Sequence, residues 1–126
     1  MNILIVEDDR DYRAMLYEFL HSQGHEVLAV SDALHAVALL NEVNNGIDLA
    51  LLDIKMPRLG GDAIMDTFTS WNRCATSFIV MSGEPDSARY ESHPAVIAFL
   101  SKPFSFGELE QKIRKAETRL AEPVAV

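Results

Sequence analysis

Asp53 closes the apolar run Ile47-Asp48-Leu49-Ala50-Leu51-Leu52 and is followed by Ile54-Lys55-Met56-Pro57. A run of that length between Gly46 and Pro57 reads as a buried strand, so its terminal carboxylate can be presented to a reactant. Other polar side chains hold equivalent places. Glu7-Asp8-Asp9 follows Ile3-Leu4-Ile5-Val6, Ser82 follows Phe78-Ile79-Val80-Met81, and Lys102 comes just after Val96-Ile97-Ala98-Phe99-Leu100. Carboxylates, a hydroxyl and an ammonium gathered at strand ends can hold a metal ion and a phosphoryl group.

Charge narrows the chemistry. Two unit charges ~4 Å apart repel by about 4 kcal/mol at an effective dielectric of ~20. Crowding Glu7, Asp8 and Asp53 therefore calls for a cation or a protonated carboxyl. An all-oxygen donor set favours a hard ion, and Mg²⁺ commonly keeps several waters beside one or two carboxylates. Soft metals are disfavoured, because the four histidines are scattered and Cys74 is the single cysteine. Lys102 and Ser82 suit the oxygens of a transferring phosphoryl group, and Asp53 suits the nucleophile.

These positions require strands that end together. The apolar period switches along the chain to give strands at 2–6, 25–30, 47–52, 77–81 and 96–100. Between them lie helices: one over 10–22 with Tyr12, Met15, Leu16, Phe19 and Leu20 on one face, ended by Gly24, and one over about 33–43 capped by Ser31 or Asp32. That second helix turns Ala33, Ala36, Val37 and Leu40 inward. A third helix opens at Gly60-Gly61-Asp62, and a short fourth lies between Pro85 and Pro94. A last helix opens at a Ser105/Glu108 capping box and carries Leu109, Ile113, Ala116 and Leu120 inward. Alternating strands and helices predict an α/β, doubly wound sandwich, (βα)5 and flavodoxin-like, on a parallel five-stranded sheet. The polar second strand reads as an edge, which suits the order 2-1-3-4-5. Ligands then bind where the order reverses, between the strands that end at Asp8 and Asp53.

The chain's 126 residues suit one domain, taken as 1–120 with a short tail at 121–126. Such a domain buries roughly two-thirds of its unfolded surface. A net charge of −8 argues against direct nucleic-acid binding. No apolar stretch reaches the ~18 residues of a membrane span, and no signal peptide is evident, so no membrane partner is expected. Lone Cys74 fits a reducing, cytoplasmic setting.

The segments Ile3 to Asp9, Leu51 to Pro57, Gly60-Gly61, Met81-Ser82-Gly83 and Ser101-Lys102-Pro103-Phe104 together resemble the receiver domain of two-component response regulators, over residues 2 to about 120. The resemblance implies that Asp53 accepts a phosphoryl group from a phosphohistidine on a sensor histidine kinase or histidine phosphotransfer protein. It implies Mg²⁺ held by Asp8, Asp53 and the backbone carbonyl of Lys55, with Glu7 reaching it through water. It implies that Ser82 and Lys102 contact the phosphoryl oxygens and that the Lys102-Pro103 peptide is cis. It also implies a switch in which Ser82 moves and Phe99 turns inward. The face of fourth helix, fifth strand and fifth helix then changes its affinity for a downstream protein or for a second copy in a phosphorylation-dependent dimer. Three features depart from the commonest pattern: Ser rather than Thr at 82, Phe rather than Tyr at 99, and a short, proline-bounded fourth helix.

Other residues have plainer readings. Asp9 reads as a helix cap, and Lys112, Arg114, Lys115 and Arg119 as the wet side of the last helix. Lys55 and Glu84 flank the site; Trp71 and Cys74 read as packing residues. A stand-alone signalling protein with no catalytic output domain is the leading expectation. The alternatives are a receiver excised from a longer regulator or hybrid kinase, and a haloacid-dehalogenase-like phosphatase. The phosphatase needs a second Asp two residues after the nucleophile, where this chain has Lys55.

Overall fold

The computed structural model describes residues 1–42, 46–54, 76–83 and 95–122. The strands β1 (Asn2–Val6), β2 (Glu26–Val30), β3 (Leu49–Asp53), β4 (Ser77–Ser82) and β5 (Val96–Ser101) form one sheet in the order β2-β1-β3-β4-β5. Every neighbouring pair is parallel. The described helices are α1 (Arg10–Ser22), α2 (Ala33–Leu40) and α3 (Phe106–Ala121). The expected helices after Gly60 and between Pro85 and Pro94 lie outside the described residues, as does the tail beyond Glu122.

Alternation along each central strand feeds two cores. Ile3, Ile5, Leu49, Leu51, Ile79 and Met81 join Leu16 and Leu20 of α1 and Leu109, Ile113 and Ala116 of α3. Leu4, Val6, Ala50, Leu52, Phe78 and Val80 face the other way, onto Ala33, Ala36 and Leu40 of α2. A parallel sheet covered on both faces is why the central strands are apolar at every position between their ends. Among the described residues, the β4–β5 ladder has one register irregularity, between Phe78 and Ile79.

Helix ends follow the polar signals. Asp9 accepts the N–H of Tyr12 at 2.9 Å, Asp32 that of His35 at 2.7 Å, and Ser105 that of Glu108 at 3.1 Å. Each satisfies a donor that a helix start leaves unpaired. Gly24 takes the left-handed φ of 90° just past α1 and donates to the His21 carbonyl, as a helix C-terminus requires.

Several boundaries differ from expectation. Strand β3 begins at Leu49 rather than 47, and β2 at Glu26 rather than 25, within the usual play at element ends. Helix α2 stops at Leu40, with Asn41 as its C-cap, short of the predicted 43. Leu120 was expected inward and is 53% exposed. Its helix has 16 residues, about 24 Å, whereas the six residues of β5 span about 20 Å. Leu120 stands in the last turn of α3, where its side chain is left in solvent. No described helix is long and apolar enough to cross a membrane.

Candidate functional site

Parallel strands end on one side of the sheet, so β1, β3, β4 and β5 deliver Glu7, Asp53, Ser82 and Lys102 to one neighbourhood. The main chain fixes each position. The N–H of Glu7 donates to the Val30 carbonyl at 3.1 Å, and that of Ile54 to Met81 at 3.2 Å. The N–H of Lys102 donates to the Ser82 carbonyl at 2.7 Å. The Lys102-Pro103 peptide is cis, as the sequence implied.

Lys102 Nζ lies 2.6 Å from Glu7 Oε2 and 3.2 Å from Asp53 Oδ2. Glu7, Asp53 and Ser82 are buried, with 1%, 4% and 6% of their surface exposed, while Asp8 is exposed. One carboxylate oxygen from each of Glu7, Asp8 and Asp53 lies within 4.8 Å of the others. Removal from water pushes the Glu7 carboxyl up from 4.5 to about 7; Lys102 opposes this and the charge of Asp53 adds to it. Burial works against the Lys102 ammonium, yet its hydrogen bond and attraction to Glu7, with those to Asp53, outweigh it and raise its pKa.

Among the described residues the pocket gathers three acidic groups beside the Lys102 ammonium. Oxygen donors alone, two of them from buried residues, fit a small hard divalent cation. The same pocket offers a carboxylate nucleophile with an ammonium and a hydroxyl close by, a set suited to phosphoryl transfer.

The profile of the response regulator receiver domain matches residues 3–114. The chain belongs to that family. It is 33% identical over 119 residues to the transcriptional regulatory protein CpxR of Klebsiella pneumoniae, covering 89% of this chain and 47% of that protein. Among the curated relatives, the chain spans between 15% and about half of their length. A receiver domain protein from Clostridium thermocellum superposes with a TM-score of 0.82 at 26% identity, covering 94% of this chain and 95% of that one. The response regulator TrrA of Thermotoga maritima, solved in complex with Mg²⁺-BeF, superposes with a TM-score of 0.74 at 26% identity, covering 91% and 97%.

Of the residues singled out in the sequence, this receiver brings Glu7, Asp8, Asp53 and Lys102 into mutual reach and sets Ser82 beside them through the main chain. Phe99 is partly buried opposite Val80, packed on the α2 side of the sheet. Lys55 and Glu84 lie outside the described residues, and so do Trp71 and Cys74. Two neighbours of the site went unread. Arg13 Nη1 donates to the Glu7 carbonyl at 2.9 Å and to that of Asp8 at 3.3 Å, which pins the acidic turn. Tyr12, counted in the sequence as core, places its ring 4.6 Å from Lys102 Nζ. Both stand in the first turn of the helix that follows the acidic loop, and that adjacency was the available signal.

Proposed function

We propose that this receiver is a phospho-acceptor switch in which Asp53 takes a phosphoryl group from a phosphohistidine on a sensor histidine kinase or histidine phosphotransfer protein. One observation carries the reading: the Lys102 ammonium bridges Glu7 and Asp53 beside the Asp8 carboxylate. A structural ion pair has no need of three converging acids. A site that neutralises an incoming phosphoryl group and its counter-ion does.

The Asp53 carboxylate attacks phosphorus on the side opposite the histidine nitrogen. The O–P bond forms as the N–P bond breaks, and its electron pair returns to the imidazole, which takes up a proton. Lys102 and Ser82 donate to the phosphoryl oxygens. Asp8, Asp53 and the main-chain carbonyl of Lys55 would hold Mg²⁺, with Glu7 reaching it through water. When bound, the ion supplies neutralisation of the charge between carboxylates and phosphoryl oxygens. The complex of TrrA supports that choice of ion.

The modified site biases a two-state equilibrium. Ser82 moves toward the phosphoryl group and Phe99 turns inward behind it. The face that includes β5 and α3 then changes its affinity for a downstream protein or for a second copy. The chain acts as a cytoplasmic signalling protein with no turnover of a separate substrate and no contact with nucleic acid. The test is labelling by acetyl phosphate or a phosphorylated kinase. Wild type takes up the label in Mg²⁺, and Asp53→Asn takes up none; a labelled mutant places the acceptor elsewhere.

A further inference from the structure

We propose that Tyr12 is a positioning residue for phosphoryl transfer, whose ring face holds the Lys102 ammonium when the carboxylates around it are engaged elsewhere. The inference rests on the phospho-acceptor reading of Asp53.

Among the described residues the ammonium meets two carboxylates, Glu7 at 2.6 Å and Asp53 at 3.2 Å, and one aromatic face, the centre of the Tyr12 ring at 4.6 Å. The two carboxylates are the groups whose charge changes. Phosphorylation converts Asp53 into an acyl phosphate, and a divalent cation competes for Glu7. The aromatic face has no such competitor, since it neither titrates in its π system nor coordinates hard ions. It is the contact that survives the reaction, and an ammonium over a tyrosine ring at this distance is attracted by the ring quadrupole.

The ring itself is well placed to act as a fixed wall. Tyr12 lies in the first turn of α1, with its N–H bound by Asp9. Its ring packs against Phe104, two residues beyond the lysine, at 5.7 Å and 89°. One side chain thus meets the loop of Lys102 at the ammonium and at Phe104. A second aromatic pair, Phe19 with Phe106 stacked at 4.3 Å, ties the start of α3 to the same helix. The Tyr12 hydroxyl is buried and faces the main chain at Phe104, whereas the ammonium lies over the ring. The oxygen meets the loop, and the face holds the amine.

This separates the ring from the hydroxyl and gives a direct test. Mg²⁺-dependent binding of beryllium fluoride is measured for wild type, Tyr12→Phe and Tyr12→Leu. Wild type binds, Tyr12→Phe binds within about twofold of it, and Tyr12→Leu binds roughly three- to tenfold more weakly. Wild-type affinity in Tyr12→Leu overturns the proposal, as does equal weakening in both variants, which would assign the effect to the hydroxyl. If Tyr12→Leu does not fold, NMR of the wild-type protein decides. The Lys102 methylene protons next to the ammonium show a ring-current shift in Mg²⁺ alone and keep it at beryllium fluoride saturation; its loss on saturation overturns the proposal. Failure of wild type to bind beryllium fluoride at all counts against the phospho-acceptor reading instead.

Discussion

At the amino ends of the strands, Asp48 Oδ2 accepts the N–H of Asn2 at 2.8 Å, Asn2 Nδ2 donates to the Gly46 carbonyl at 3.0 Å, and Thr76 Oγ1 donates to the Ile47 carbonyl at 2.8 Å. At the carboxyl ends of the same strands, Glu7 and Asp53 face each other across one ammonium, with Asp8 beside them. The residue types overlap, but the partners differ. Asn2, Asp48 and Thr76 at the first end are satisfied by the main chain, which is always present and never titrates. The other leans on charges that protons, cations and phosphoryl groups can displace. The first arrangement closes the ends of strands; the second stays responsive, at some cost in stability.

Removing the cation should expose that cost most sharply. Lys102→Ala removes the ammonium that Glu7 and Asp53 share, and breaking such a buried pair costs about 3 kcal/mol or more. Urea unfolding in EDTA measures it. A loss under about 1 kcal/mol would mean that the carboxyl end is as well satisfied as the other.

A smaller effect comes from supplying a cation. Mg²⁺ at 100 times its Kd should stabilise the fold by about 2.7 kcal/mol, because it binds the folded state alone. The pH dependence has a fixed sign. Glu7 holds its proton up to about 7 in the fold and to 4.5 when unfolded, so the folded state binds more protons between those values. Its contribution is full below pH 4.5 and is lost as pH rises toward 7. Saturating Mg²⁺ and Glu7→Gln should each remove this decline. Unfolding midpoints from pH 4 to 8, with EDTA or Mg²⁺, test it; identical curves would erase the contrast between the ends.

The smallest change belongs to the amino end. Asp48→Ala removes one hydrogen bond to a main-chain donor and should cost about 1 kcal/mol. It should leave the response to Mg²⁺ and to phosphoryl donors unchanged. A thermal melt and a labelling assay on the same sample check both halves.

Much of this was legible because parallel strands end together. Once Glu7, Asp53, Ser82 and Lys102 are each placed just past an apolar run, the strand order leaves them no other meeting place. Caps at Asp9, Asp32 and Ser105 were equally readable, since a short oxygen-bearing side chain before a helical stripe has one obvious use. Distances were not readable. The sequence assigned Lys102 to the phosphoryl group, yet here its shortest contact is Glu7. Helical period put Tyr12 on the inner face of α1 but could not say that its ring would lie under an ammonium. Leu120 obeyed the period and still ended in solvent, because periodicity gives the direction of a side chain and not what packs against it there.

The bond from the Lys102 N–H to the Ser82 carbonyl, 2.7 Å long, joins the backbones that carry the amine and the alcohol. A pull on either one is felt by the other without delay through soft side chains. Two fingers joined at the knuckle keep their spacing, so the amine and the alcohol are held at a fixed span for whatever anion lies between them.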